Sequence, residues 1–321
     1  MKVVSNNSFP EIVKNSFQSI EEYSDSLVGL DLHGYQLSKG DFNGHSKIII
    51  SHNFQLAIRQ ADAQHFQRAR IDAGKIGMIF PLVQNEYINN GRNLSPEKQY
   101  VIFNGEENKI IFPKHHKHIS LIINTEELNN YLSEDETHIF INIFRNLSTR
   151  VVCSEKKLLL TRQLHDIFEV FKLLAKNTTN NHLVYQDLYD SLFYSIHNYQ
   201  HAYSDEIIEK RKNNERLLSR ALDYIHSESL QSLTVSSLVT NTHASSRTIQ
   251  YCFSRLLGIS PKKYIIRLRL NAIRKELKNS SQNETTITEI ANNYGVINLG
   301  RFKQDYEKFF NESPRQTLER N

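Results

Sequence analysis

The chain has 321 residues, 39% of them hydrophobic and 23% charged, a composition that fits a folded soluble protein of two domains and excludes a disordered or collagen-like one. No run of 18 uncharged apolar residues occurs, which argues against a transmembrane helix, and MKVVSNNSFPEIVKN lacks the apolar core of a secretory signal. The formal charge of +4 is unevenly divided: residues 211–321 hold 18 Lys and Arg against 10 Asp and Glu, whereas residues 1–210 hold 21 against 25. A basic C-terminal third beside a mildly acidic remainder suggests a segregated electrostatic footprint, although many solvated helical surfaces are basic.

The first half reads as strands. KIIISHNFQLAIRQ (47–60), KIGMIFPLV (75–83), QYVIFNG (99–105), NKIIFPK (108–114) and HISLIIN (118–124) are short and rich in β-branched or aromatic residues, with turn residues between them. Such a series predicts an antiparallel sandwich or barrel. Within it, KHHKH (114–118) invites a metal reading through His115, His116 and His118. Alternation along a strand lets at most His116 and His118 share a face, and two ligands do not complete a zinc site. A solvent-exposed basic turn is the expectation, with no metal bound.

From about residue 125 the period changes to three and four. TEELNNYL (125–132), SEKKLLLTRQLHDIFEVFKLLAK (154–176) and LVYQDLYDSLFYSIHNY (183–199) read as helices. The second places Leu160, Leu164, Phe168 and Phe171 on one face, a stripe that packs on its own domain or pairs with a second subunit. The polar segment before residue 210 marks a domain boundary, giving a β-rich domain with a helical connector over 1–210 and an all-helical domain over 211–321. Two cysteines, Cys153 and Cys252, are far apart and lack metal-type spacing, so buried inert thiols in a reducing cytoplasm are expected.

The C-terminal third repeats itself. In LTVSSLVTNTHASSRTIQYCFSRLLGISP (233–261) and TTITEIANNYGVINLGRFKQDYEKFFNESP (285–314), Val235, Leu238 and Val239 correspond to Ile287, Ile290 and Ala291. Likewise Ile249, Phe253, Leu256, Ser260 and Pro261 correspond to Phe302, Tyr306, Phe309, Ser313 and Pro314. The offset grows by one residue inside the turn, where a loop absorbs it. Each unit is a short helix, a turn at His243 or Gly295 suited to positive φ, and a second helix able to lie in a major groove. On that second helix Arg247, Gln250, Tyr251 and Ser254 in the first unit face outward. Asn298, Gly300, Arg301, Lys303 and Gln304 do so in the second. Arginine pairs bidentately with guanine and glutamine with adenine, so these are the candidate base-reading positions. Between the units SPKKYIIRLRLNAIRKELKN (260–279) predicts one long helix with Ser260 as N-cap and Pro261 at its first position. Its Lys262, Lys263, Arg267, Arg269 and Arg274, together with Lys308, are candidate phosphate contacts, some of which could instead form intradomain salt bridges.

LTVSSLV, ASSRTIQYCFSRLLGISPKKYIIRLRLNAIRKEL, ITEIANNYGV and NLGRFKQDYEKFFNESP together resemble the DNA-binding domain of the AraC/XylS family of bacterial transcription regulators. The resemblance covers about the last hundred residues. It implies sequence-specific binding of double-stranded promoter DNA near RNA polymerase, with activation the commoner outcome. More loosely, GKIGMIFPLVQNEYINNGRNLSPEKQYVIFNGEENKIIFPK is similar in layout to the sensory domains of the subgroup that includes the ethanolamine-operon regulator. A small-molecule effector and a homodimer are then partners of the N-terminal domain. No cofactor, membrane or enzymatic activity is expected, because no phosphate loop, nucleophile elbow or HExxH pair is present. The rival reading is a protein-interaction or structural module whose basic helices never meet DNA.

Overall fold

A computed structural model of the chain describes residues 10–82, 85–94, 99–103, 105, 107–130, 132–145, 149–151, 154–174, 182–201, 213–281 and 285–320. The N-terminal part is built on two antiparallel sheets. Their strands in chain order are β1 (Glu11–Phe17), β2 (Leu30–Gln36), β3 (Gly44–Ile50), β4 (Phe54–Ala61), β5 (His65–Ile71) and β6 (Lys75–Pro81). There follow β7 (Tyr87–Asn89), β8 (Arg92–Leu94), β9 (Gln99–Phe103), β10 (Asn108–Phe112), β11 (His116–Asn124) and β12 (Thr149–Val151). The larger sheet has the order β1-β3-β4-β11-β6-β9-β12, and the smaller β2-β5-β10-β7-β8. A short helix, α1 (Ile20–Ser24), joins β1 to β2. After β11 come a 3-10 turn (Thr125–Asn130), α2 (Glu134–Arg145), α3 (Ser154–Leu174) and α4 (His182–His201).

Strand alternation sorts each residue to a layer. On the larger sheet Phe54, Leu56, Ile119, Leu121 and Ile123 point outward, where Leu160, Leu164, Phe168 and Phe171 of α3 and Leu192, Phe193 and Ile196 of α4 cover them. The α3 stripe is thus consumed by its own domain. The opposite face closes on the smaller sheet through Leu32, Ala69, Ile71, Ile79, Ile110, Phe112 and Ile122.

The remaining helices are α5 (Asn213–Ser227), α6 (Val235–Thr242), α7 (Ser246–Leu257), α8 (Pro261–Asn279), α9 (Ile287–Asn293), α10 (Leu299–Phe310) and α11 (Pro314–Glu319). They pack as two clusters. Leu217, Leu218 and Leu222 of α5 join Leu238, Ile249, Phe253, Tyr264 and Leu268 in the first, which also takes Phe66, Ile88 and Ile111 from the outer face of the smaller sheet. In the second, Ile273 and Leu277 meet Ile290, Ala291, Phe302, Tyr306, Phe309 and Phe310. The protein is therefore α+β, with a sheet sandwich followed by an all-helical part.

Several expectations change here. The run 47–60 is not one strand but the β3–β4 hairpin, since Ser51 donates its backbone N–H to the Phe54 carbonyl at 2.9 Å across a tight turn. The histidine run is not an exposed turn throughout: His115 turns at φ 54° and is exposed, but β11 begins at His116, and His116 and His118 are buried between the sheets. His65 of β5 meets them there, its ring centroid 4.7 Å from that of His116. Cys252 is fully buried, its thiol donating to the Asn214 carbonyl at 3.1 Å and pushed up to about 11 by burial. Cys153 lies outside the described residues, as does the boundary expected near residue 210.

Candidate nucleic-acid interface

Both helix–turn–helix units form from local chemistry that the sequence spells out. In the first, Thr234 and Ser237 make a reciprocal capping box at the start of α6. His243 then takes a left-handed conformation, φ 52°, and Ser245 caps α7 by accepting from the Thr248 N–H at 3.1 Å. In the second, Thr286 and Glu289 make the corresponding box at α9, and Asn298 caps α10 by accepting from the Arg301 N–H at 2.9 Å. Gly295 in the turn has φ +75°, and a Cβ there would lie 2.5 Å from the Gln231 carbonyl oxygen. Conformation and space both demand glycine at that position. The helices end at Gly258 and Asn311, each left-handed, so Pro261 and Pro314 do not stop α7 and α10 but begin α8 and α11.

This framework fixes which side chains face solvent. Ile249, Cys252, Phe253 and Leu257 of α7, and Phe302, Tyr306, Phe309 and Phe310 of α10, are buried. Arg247, Gln250, Tyr251 and Ser254 are exposed on α7, and Gly300, Arg301, Lys303 and Gln304 on α10, with Asn298 exposed at its cap. The restraints on them are weak. Arg255 donates to the Tyr251 hydroxyl at 2.7 Å, and Arg301 and Lys303 stand 3.7 and 4.0 Å from Asp305 and Glu307 in open solvent. Such pairs contribute little and exchange readily for a stronger anion.

Helix α8 has 19 residues, about 28 Å at 1.5 Å per residue, and carries both units. Lys262 and Lys263 are exposed in its first turn, where cations reinforce the positive end of the helix dipole rather than offset it. That end is suited to a phosphate. Beside it a cleft of about 570 Å3 separates the units, lined by Lys262, Arg269, Asn298, Arg301 and Asp305 with apolar Ile265, Val296 and Ile297. Ile297 is 98% exposed just ahead of α10.

Three basic residues of α8 are engaged within the protein, the alternative left open for some of the candidate phosphate contacts. Arg267 is half-buried, donates to the Leu37 carbonyl and covers the Phe309 ring at 5.7 Å, so it ties the sheet domain to the helices and is not free for a phosphate. Arg269 donates to the carbonyls of Leu230 and Leu233 at 3.0 and 2.8 Å. Arg274 makes the buried salt bridge with Glu312 at 2.8 Å. Lys308 is exposed in the last turn of α10.

The tie through Arg267 is one of several. Asn271 of α8 accepts from the Gln36 N–H and donates to the Gln36 carbonyl, both at 2.9 Å, extending the edge of β2. The Gly40 N–H donates to the Phe309 carbonyl at 2.9 Å, and Lys109 pairs with Asp223 of α5 at 2.7 Å. Phe66 of β5 stacks on His226 of α5 with centroids 4.1 Å apart and planes at 6°. Gly91, φ +77°, lets the β7–β8 hairpin lie against α5, since a Cβ would come within 2.5 Å of the Ser219 nitrogen. None of these contacts is marked in the sequence by a motif.

A profile described as a helix-turn-helix domain matches residues 238–320. Among curated proteins, the "Probable thc operon regulatory protein" of Rhodococcus erythropolis is 29% identical over 119 residues, 37% of this chain and 36% of that protein. The "XylDLEGF operon transcriptional activator" of Pseudomonas putida is 34% identical over 99 residues, 31% of each. The chain thus spans about a third of the length of these relatives. Among solved structures, a probable AraC family transcriptional regulator from Rhodopseudomonas palustris is 33% identical over 33% of this chain and 96% of its own, with a TM-score of 0.31. The AraC-like transcriptional activator CuxR covers 87% of this chain and 100% of its own at 12% identity and a TM-score of 0.38. The matched proteins with a named role are regulators rather than enzymes. Among the described residues no helix is long and apolar enough to cross a membrane. Residues 238–320 of this chain form a helix-turn-helix domain similar to those of AraC/XylS-type regulators.

Proposed function

We propose that the chain regulates transcription in the cytoplasm by binding promoter DNA, with α7 and α10 in major-groove segments on one face of the duplex. The observation that carries this reading is the duplication: two caps, two left-handed or glycine turns and two apolar-backed helices each present an arginine and, three residues on, a glutamine outward within the first two turns. A solvated helix face accounts for one such surface but gives no reason for a second on a shared strut. Arg247, Gln250, Tyr251 and Ser254 would read one half-site, and Asn298, Arg301, Lys303 and Gln304 the other, with Gly300 admitting the backbone close to the duplex. Ile297, exposed at the groove-entering end of α10, adds an apolar contact for a thymine methyl. Activation is favoured by the relatives' names, and contact with RNA polymerase follows from it. The sandwich would sense an effector or support a homodimer, and its multiple ties to α5, α8 and α10 give it a mechanical connection to both units.

Binding of the full chain to duplex DNA, RNA of the same sequence and no partner, at several salt concentrations, tests this directly. Duplex DNA should be preferred, with affinity falling steeply as salt rises. Equal retention of DNA and RNA would favour a non-specific basic surface. Replacing Lys262 or Lys263 with alanine should reduce the salt slope by about one and weaken all sequences alike. Replacing Arg267 should leave the slope unchanged, because that guanidinium is already engaged by the Leu37 carbonyl.

A further inference from the structure

Helix α8 fixes how far apart the two units stand, but not the angle between them. Its first half lies in the core of the first unit through Tyr264, Ile265 and Leu268, and its second half in that of the second through Leu270, Ile273 and Leu277. Among the described residues the two cores have no member in common, and the cleft beside Lys262 and Arg301 separates the units on one side. Long helices curve, typically with radii of about 60–100 Å. Over the 19 residues of α8, a change in that curvature would swing α10 against α7.

What opposes that swing is the loop between α5 and α6, residues 228–234. It belongs to the first unit, with Leu233 buried in that core and Leu230 packed against it. Its carbonyls, however, meet α8 and the second unit. Arg269 Nε donates to the Leu230 carbonyl at 3.0 Å, and its Nη2 donates to the Leu233 carbonyl at 2.8 Å. One planar fork thus holds both sides of the loop, a geometry that the point charge of a lysine does not reproduce. Between those residues lies Gln231, against Gly295 in the turn of the second unit. A Cβ on Gly295 would lie 2.5 Å from the Gln231 carbonyl oxygen and 3.0 Å from its Cα, so the two backbones touch with no side chain between them. The loop is also stiffened from within. Ser229 Oγ accepts from the Gln231 N–H at 3.3 Å, and the Ser229 carbonyl accepts from the Ser232 N–H and hydroxyl, both at 3.2 Å.

We propose that Arg269 is a positioning residue for DNA reading: with Gly295 it clamps the 228–234 loop between the units, fixes the angle between α7 and α10, and so sets the one spacing of half-sites that the protein accepts. The inference rests on the reading that both helices meet one duplex. Its physical basis is the steepness of DNA register. Adding or removing one base pair moves a half-site by about 3.4 Å and turns it by about 35°. An unbraced pair of units follows that change by bending α8, whereas a braced pair loses base contacts. Arg269 acts through the loop and not on a base, because two carbonyls already engage its guanidinium. The fork matters here rather than the charge, so a lysine at this position keeps the charge and loses the clamp.

The test uses the full chain and the two-block duplex that it selects from a random pool, together with duplexes whose central spacer is one base pair shorter or longer. The parent should bind the selected spacing about tenfold or more tightly than either neighbour, the scale of one lost base contact. In Arg269→Lys that ratio should shrink by about fivefold, the scale of one hydrogen bond, while preference within each block and the salt slope stay as in the parent. A merely structural role would weaken binding at all spacings alike and leave the ratio unchanged. Ser229→Gly removes the acceptor for the Gln231 N–H and should shift the ratio in the same direction, and it carries the test if the lysine variant does not fold. A parent that selects no site defeats the DNA reading and the clamp with it. A parent that selects two blocks but tolerates every spacing, or variants that keep the parent's ratio, overturn the clamp alone. The latter result would mean that the strut or the sandwich contacts hold the angle.

Discussion

Lowering the pH from 7 to about 4.5 should destabilise the protein by about 2–3 kcal/mol through His65 alone, with His116 and His118 adding in the same direction. Burial holds the His65 imidazole down to about 4, and it holds His116 and His118 well below the ordinary histidine range. The nearby Arg59 charge acts on all three in the same sense. In the unfolded chain each regains a value near 6.5. Below that pH the unfolded state takes up protons that the folded state refuses, so stability present above about 6.5 is lost as the pH falls toward 4. A loss of this size is a large part of the 5–15 kcal/mol that holds a domain together. Denaturant unfolding at a series of pH values measures it, and His65→Phe supplies the control, because carboxylates also contribute to acid unfolding. The variant's stability should fall less steeply than the parent's between pH 6.5 and 4. Parallel curves would mean that the imidazole is not held neutral by the fold.

The second large effect is expected at Glu312. Its carboxylate is buried and accepts from Arg274 Nε at 2.8 Å, from the Thr317 hydroxyl at 3.1 Å and from Arg320. The Arg274 guanidinium also lies over the Phe310 ring at 4.6 Å, so the cluster fastens α8, the end of α10 and α11 together. Removing one partner of a buried pair leaves the other charge uncompensated and costs about 3–5 kcal/mol. Glu312→Ala should therefore loosen the second unit by that order and weaken reading of its half-site, although Glu312 is itself buried. Replacing Arg274 and Glu312 together with leucine should cost less than the two single changes combined, since no charge is then stranded. A Glu312→Ala protein as stable as the parent would contradict the assignment.

Much of the helical part was legible because its signals are local. Capping residues, left-handed turn positions and the apolar spacing of α7 and α10 each depend on a few neighbours, and the repeat made the pattern visible twice. Helix α8 was legible in extent but not in the use of its arginines. Arg267, Arg269 and Arg274 look alike in sequence, and only the elements packed against them decide that one meets Leu37, another Leu230 and the third Glu312. The sandwich was read in outline and missed in places. Strand β5, HFQRARI, carries His65 and Gln67 on its inner face, so the apolar alternation that marks a strand is absent where the interior is polar. The same polarity concealed the buried histidines: KHHKH has the composition of an exposed turn, and burial follows only once β5 and β4 bring His65 and Arg59 beside it. The contact between the sheets and the helices left no mark at all, since Phe66, Asn271 and Gly40 are ordinary residues until they are paired.

Selection from a pool of random duplexes by the full chain, carried out in parallel with Gln250→Ala and Arg301→Ala, bears most directly on the duplicated reading surface. The parent should yield one site of two blocks, about one helical turn or roughly 34 Å apart. Each variant should lose preference at about one base position in a different block, at a cost of about 1–3 kcal/mol there. A parent that enriches no sequence, or two variants that relax the same block, would contradict a pair of recognition helices held on one strut.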